Sequence, residues 1–173
     1  MTSQAQGDMR ISKPPARTLG ALLLNPPLGN GVVSTGRVAV VAQLLACDTF
    51  QIANIFSIPT KSLSEVNVVG RSEDGWLAAR PAILELLSRA DKIVIGWGIG
   101  GLSGPARLNL KAQSAWIAEN LRTRGLTCWS VSSAPRHPSR WHQYVSDRHG
   151  RAGSGPFDER LGRVLVELAP DQL

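Results

Sequence analysis

The feature that most constrains this chain is the stretch ALLLNPPLGNG at residues 21–31, where an apolar run leads into Asn25, two prolines and a glycine-containing loop. Such a short apolar run is typical of a strand buried on both faces. Because Pro26 and Pro27 have no amide hydrogen to donate to a sheet, we expect the strand to end at Asn25. The stretch therefore predicts a side-chain amide at the carboxyl end of a strand, where open α/β sheets bind ligands.

Three later segments are also predicted to be strands: residues 50–56, 92–97 and 126–131. Polar or aromatic residues again stand near their ends. Asn54 and Phe56 close the second strand, Trp97 and Gly98 follow the third, and the fourth leads into the motif PRHPSRW. Since the carboxyl ends of parallel strands meet at one edge of a sheet, we expect these residues to open onto one cleft.

The segments between the strands predict helices, because their apolar residues recur at helical spacing. The first helix follows a cap at Ser34 or Thr35, and the longest begins near Pro105 and ends at Arg124 before Gly125. Strands that alternate with such helices require right-handed parallel crossovers. We therefore predict an α/β fold, a three-layer sandwich with a central four-stranded parallel sheet.

Two segments interrupt this pattern. Residues 57–72 show no clear period and are predicted to be a loop, and Pro81 is expected to kink its helix or to begin a new one. The length of 173 residues fits one domain with a sizeable core. We predict a disordered N-terminal lead-in (residues 1–17), the α/β domain (18–145), a flexible linker or loop (146–156) and a C-terminal extension (157–173) that holds either a helix or a strand.

The charge of the chain is basic, with 19 Lys and Arg against 13 Asp and Glu and a formal net charge of +6. This balance is compatible with a nucleic-acid partner and equally with a basic protein that binds none. No apolar run approaches the length that crosses a bilayer, and Cys47 and Cys128 lie in apolar segments without metal-ligand spacing. We expect a cytoplasmic monomer without metal, cofactor or membrane association.

His137 stands between prolines in PRHP, which would fix its imidazole so that it donates to a developing anion; the alternative is an ordinary surface histidine. Trp141 could have a functional role, in which it stacks on a base or wedges into a duplex. The alternative is that it packs on a neighbouring helix. Asp48 and Asp91 precede strands and so belong at the opposite end of the sheet. The absence of a carboxylate at the carboxyl edge disfavours a hydrolase with a carboxylate base.

The motifs LLLNPP, NIF, the strand ending in GWG, and PRHP occur in an order and at spacings that resemble the uncharacterised bacterial family DUF1643, over about residues 19–144. That family carries acidic residues soon after its Asn-Pro, whereas the loop PLGNGVVSTG here has none. The same motif order is similar, more distantly, to the uracil-DNA glycosylase superfamily. That likeness implies the sheet order 2-1-3-4 with helices on both faces.

The likeness to the glycosylases also implies roles for single residues. Asn25 would position the attacking water, His137 would stabilise the departing base, and Asn54 would read the edge of the base. The remaining base- or ligand-binding residues would be Pro26, Phe56, Trp97, Gly98 and Ser139, and the nucleic-acid contacts would be Arg37, Arg136, Arg140 and Trp141.

Two functions follow from these residues. One is an N-glycosylase that excises a modified or deaminated base from DNA, or from a nucleoside, by water attack on the glycosidic bond. The other is a non-catalytic module that binds a nucleotide or nucleic acid in the same cleft. Fold-level likeness does not decide between them. The residues also leave open which base is recognised and whether the ligand is DNA, RNA or a free nucleotide.

Overall fold

The structure is a computed structural model that describes residues 15–98, 100–146, 148 and 153–173. Within these residues a single sheet has the strand order β2-β1-β3-β4-β5. The strands are β1 (Thr18–Leu23), β2 (Thr49–Asn54), β3 (Lys92–Gly96), β4 (Thr127–Val131) and β5 (Leu165–Leu168). The order 2-1-3-4 is confirmed, and these four strands are parallel. The prediction of four strands was wrong, because β5 adds an antiparallel fifth next to β4.

The helices of the described residues are α1 (Val32–Leu44), α2 (Leu63–Val69), α3 (Asp74–Arg89), α4 (Gly104–Arg124), α5 (Trp141–Tyr144) and α6 (Phe157–Val164). Two clusters of buried side chains lie on opposite faces of the sheet, since alternate residues of β1 belong to different clusters. Leu22 packs with residues of α3 and α4, whereas Leu19 packs with residues of α1, α5 and α6. None of the described helices is long and apolar enough to cross a membrane.

The predicted loop at residues 57–72 contains α2, so that prediction was wrong. The Ser62 hydroxyl accepts a hydrogen bond from the Glu65 amide, and the Glu65 carboxylate accepts one from the Lys61 amide at 2.7 Å. Ser-x-x-Glu is the sequence pattern of a capping box, which marks the start of a helix. The helix was not predicted because the apolar residues of this segment show no clear helical period. The cap fixes the residues just before α2, and these reach the carboxyl edge of the sheet.

The ends of other helices show where local patterns succeed. Gly125 ends α4 in the left-handed conformation (φ 63°) and Pro105 lies in its first turn, as predicted. The cap of α1 was wrongly placed, because the left-handed Gly31 (φ 61°) precedes Val32 and brings the helix start forward. Pro81 does not begin a new helix: it lies inside α3, whose buried side chains hold the helix together despite the missing amide.

The segment after residue 156 forms both kinds of element that were weighed for it. In α6 the side chain of Leu161 is fully buried against the α1 face of the core. The chain then enters β5, which pairs with β4 from Val131 opposite Leu165 to Cys128 opposite Leu168. Residues 1–14 of the predicted lead-in and residues 147 and 149–152 of the predicted linker lie outside the described ranges.

Candidate functional site

The carboxyl ends of β1 and β3 open into a cavity of about 410 Å³, here called the main cavity. Its walls include Asn25 after β1, Trp97 after β3, and Arg136, His137 and Ser139 from the PRHP loop. The volume falls in the range of ~300–1,000 Å³ that small-molecule sites occupy. Asp91 lies at the opposite end of the sheet, as predicted, because it accepts a hydrogen bond from the amide of Thr18 at the amino end of β1.

A smaller cavity of about 250 Å³, here called the side cavity, adjoins the main one. Asn25, Thr60, Lys61 and His137 line both cavities, and Asn54 lines the side cavity alone. The Oδ1 atom of Asn54 is buried and has no hydrogen-bond partner among the described residues. A buried acceptor without a partner costs free energy, so its place at a cavity wall favours a ligand that donates to it.

The amide of Asn25 is held in one orientation. Its Nδ2 group donates to the carbonyl of Thr60 at 3.2 Å, to the Thr60 hydroxyl at 3.0 Å and to the carbonyl of Pro26 at 3.1 Å. Because a backbone carbonyl only accepts hydrogen bonds, the nitrogen must face Thr60. The Oδ1 atom is thereby left as an acceptor for whatever enters the cavity.

The imidazole of His137 is held in one tautomer. Its Nδ1 accepts a hydrogen bond from the Ser139 amide at 3.2 Å, and the Ser139 hydroxyl lies 2.9 Å from the same atom. An accepting Nδ1 carries no proton, so the proton of the neutral ring is on Nε2. Burial, followed by the charges of Arg37 and Arg140, lowers the pKa of His137 and favours this neutral form. The ring therefore presents an N–H donor at neutral pH.

The PRHP loop is held against the end of β3 by close packing. A Cβ atom on Gly96 would lie 3.0 Å from the side chain of Leu23 and 3.1 Å from that of Pro138, so any larger residue would crowd this contact. The indole of Trp141 donates to the carbonyl of Arg136 at 2.6 Å, and the Arg37 guanidinium donates to the carbonyl of Pro138. The position of His137 is therefore set by contacts that come from α1, β3 and α5.

The charge around the two cavities is positive. Lys61, Arg136 and Arg140 line the main cavity, and no Asp or Glu of the described residues lines either cavity. The guanidinium of Arg136 stacks on the Tyr144 ring at 3.7 Å and donates to its hydroxyl, which keeps the charge beside the cavity. Such a site favours an anionic ligand.

The structure does not bring four of the predicted site residues to the cavity walls. Phe56 is fully buried and packs on the ring of Trp76, with the centroids 4.7 Å apart, so it is not a base-stacking residue. Trp141 is also fully buried and is no wedge. Arg37 is engaged by the PRHP loop, with its guanidinium also 3.2 Å from the Nδ1 atom of His142, and Pro26 meets the site only through its carbonyl.

Sequence reasoning missed other residues that line the main cavity: Thr60, Lys61 and Tyr144. The first two precede the cap of α2, and the Ser-x-x-Glu pattern was the available sign that a helix begins there. Nothing local marked Tyr144, whose place depends on how the short helix α5 folds back.

The donor set gives no metal site. Among the described residues, no group of three or more His, Cys, Asp or Glu side chains could hold a metal ion. Cys47 and Cys128 are free and buried, and burial raises the pKa of the Cys128 thiol to about 12, which leaves it protonated.

The comparisons with known proteins bear on the family alone. The family described as "Protein of unknown function (DUF1643)" matches residues 10–139, which is most of the chain. Neither the curated proteins nor the solved structures give a match. The likeness to the uracil-DNA glycosylases therefore stays a prediction from motifs, whereas the order LLLNPP, NIF, GWG and PRHP indicated the matching family correctly. The chain is a member of the DUF1643 family.

Proposed function

We propose that this protein hydrolyses the N-glycosidic bond of a modified or deaminated nucleotide, in the manner of the uracil-DNA glycosylases. One observation carries the proposal. Asn25 and His137 line both cavities, and each has one polar atom committed to the protein and the other left free for a ligand. An acceptor for water and a donor for the leaving base are what this cleavage needs, since positive charge grows on the sugar and negative charge on the base.

Asn25 orients the nucleophile. Its Oδ1 atom accepts a hydrogen bond from water, and the locked amide leaves that oxygen only a small range of positions. A cleavage in which the sugar becomes cationic before water adds needs little basicity from the enzyme. The missing carboxylate is therefore compatible with this reaction.

His137 stabilises the leaving group. The neutral ring donates from Nε2 to the base as it becomes an anion, and this hydrogen bond is stronger in the transition state than in the ground state. The cations Lys61, Arg136 and Arg140 add a favourable field for the same anion and for the phosphates of the substrate.

The side cavity is the place for the base. The Oδ1 atom of Asn54 has no hydrogen-bond partner among the described residues, and an N–H on the edge of a nucleobase in this cavity would supply a donor for it. This favours bases that carry a ring N–H or an exocyclic amine on the edge that enters the cavity.

A specific observation favours a second function, a non-catalytic module that binds a nucleotide or nucleic acid. Among the described residues, no Asp or Glu lines either cavity to take a proton from water as a carboxylate base would. In this case the same residues bind, and no bond is broken.

The experiment that separates the two functions uses DNA duplexes with one uracil, hypoxanthine or hydroxymethylated pyrimidine. Each duplex is incubated with excess protein and assayed for abasic sites, and its affinity is measured in parallel. The glycosylase yields abasic sites on at least one duplex, and Asn54→Ala lowers the rate on that base. Tight binding without abasic sites on any duplex would support the binding module and overturn the glycosylase.

A further inference from the structure

A third cavity, of about 420 Å³, lies on the other side of the main cavity and is here called the α4 cavity. It shares the wall residues Trp97, Gly98 and Gly100 with the main cavity, so the two are neighbours along one surface. Its other side is the first half of α4, from which Arg107 and Lys111 line it. No Asp or Glu is among its lining residues.

Arg107 and Lys111 are four residues apart on α4 and therefore share one face of the helix. Both are exposed, and neither side chain has an ion pair or a hydrogen bond within the described ranges. Arg122, near the other end of the same helix, is instead paired with Glu119. The fold therefore gives the first two cations no internal partner.

The position of Arg107 near the start of the helix is electrostatically unfavourable. The amino end of α4 carries partial positive charge, and its first turn has no acidic residue to offset it. A guanidinium at Arg107, just after that turn, is repelled by the helix end. An anion in the α4 cavity would remove this repulsion and would meet both cations together.

We infer that the α4 cavity binds backbone phosphates of a nucleic-acid strand whose target nucleotide occupies the main cavity. The inference rests on the proposed function for what fills the main cavity, and it makes the substrate a polynucleotide rather than a free nucleoside or nucleotide. A mononucleotide has phosphate only on its own sugar, where Lys61, Arg136 and Arg140 already lie. A strand that continues past this nucleotide places a further phosphate against Arg107 and Lys111.

The chain just before α4, beside the α4 cavity, is held by Asn67 of α2. Asn67 on α2 donates to the carbonyl of Gly101 at 2.6 Å and accepts from the amide of Ser103 at 2.7 Å, which fixes the chain just before α4. Apart from the adjoining residues of the chain, no heavy atom of the described residues lies within 4 Å of the place that a Cβ on Gly98 or Gly100 would take, so the backbone there has open space beside it. A sugar-phosphate chain has room to pass there.

The test compares a fluorescent oligonucleotide with the corresponding mononucleotide, both as ligands of the full chain. The variants are the double substitution Arg107→Gln with Lys111→Gln and, as a matched control on the same helix, Arg122→Gln. Loss of two phosphate contacts should lower oligonucleotide affinity by roughly tenfold or more and make the log–log salt slope less steep by about 1.4–1.8. The wild type and the control should keep the full preference for the oligonucleotide.

The outcomes separate this inference from the proposed function. A double variant that binds the oligonucleotide like the wild type, with the same salt slope, overturns the inference even if abasic sites are still formed. Equal affinity of the wild type for oligonucleotide and mononucleotide overturns it too. Loss of oligonucleotide affinity in the double variant supports it, even if no duplex base is ever released. Melting temperatures of both variants exclude unfolding as the cause, since these side chains are exposed.

Discussion

At the scale of single residues, position at a strand end was predictable and orientation was not. Asn25 and Trp97 line the main cavity because each stands just after the end of a strand, β1 at Leu23 and β3 at Gly96. Phe56 was placed there for the same reason, yet its ring turns away into the core. The direction in which a side chain points after the last strand residue depends on long-range packing against α3. No local sequence pattern specifies that packing.

The histidine gives a prediction about acidity. Because the pKa of His137 is lowered in the folded state, the unfolded chain binds more protons between that value and about 6.5, and stability must fall as the pH decreases through this window. When the pH is lowered from about 7.5 to about 5, we expect the melting temperature of His137→Gln to fall less than that of the wild type. Parallel losses in the two proteins would contradict the neutral assignment of this ring.

The same residue gives a prediction about rate. His137→Ala removes a donor that acts on the developing anion, which typically costs ~3 kcal/mol, a factor of ~10²–10³ in turnover. Single-turnover release of base should fall by this factor while the affinity for the oligonucleotide changes less. A variant with unaltered release and affinity would show that His137 is an ordinary surface histidine.

At the scale of elements, the strands and the long helix α4 were predictable because their apolar runs and their stops are local. The helix α2 was not predicted, since it has one buried residue, Val66, and is held by its cap and by contacts to α4. Its cap nevertheless matters to the site, because Thr60 and Lys61 stand immediately before it.

The cap of α2 can be tested by Ser62→Ala. Loss of the hydroxyl that accepts from the Glu65 amide should cost about 1 kcal/mol in the free energy of unfolding. Ser64→Ala, an exposed change within the same helix, is the control and should cost far less. Chemical denaturation measures both, and equal costs would show that the Ser62 cap adds nothing.

The packing of the PRHP loop on β3 can be tested by Gly96→Ala. The added methyl group would meet Leu23 and Pro138 at about 3 Å, which should destabilise the fold by about 1–3 kcal/mol and displace the His137 loop. The control is Gly36→Ala on α1, where nothing lies within 4 Å and where alanine should stabilise the helix by about 0.5–1 kcal/mol. Changes of the same sign in both variants would contradict this description of the loop.

At the scale of the whole molecule, the mixed α/β architecture followed from alternation along the chain, whereas the order of the first four strands was predicted only from the likeness to the uracil-DNA glycosylases. The fifth strand did not, because the helical period of α6 passes directly into β5 without a turn residue between them. The change from α6 to β5 depends on pairing with the free edge of β4 and on burial of Leu161. Both are long-range effects.

The burial of Leu161 predicts how strongly the last helix contributes to the molecule. Leu161→Ala should cost about 2–5 kcal/mol, because the side chain is fully buried against the α1 face of the core. Leu108→Ala on α4 is the control, since that leucine is 66% exposed and its loss should change little. Similar melting temperatures for the two variants would show that the C-terminal segment packs only loosely.

The central claim is that Asn25 holds the water that breaks a glycosidic bond, and one measurement addresses it directly. Abasic-site formation is followed under single-turnover conditions with the wild type, Asn25→Ala and the distant control Asn120→Ala, on duplexes that carry each candidate base. We expect the wild type and the control to release one of these bases, and Asn25→Ala to bind the same duplex with similar affinity but to release the base far more slowly. Release by Asn25→Ala at the wild-type rate, or no release of any base by the wild type, would contradict the account.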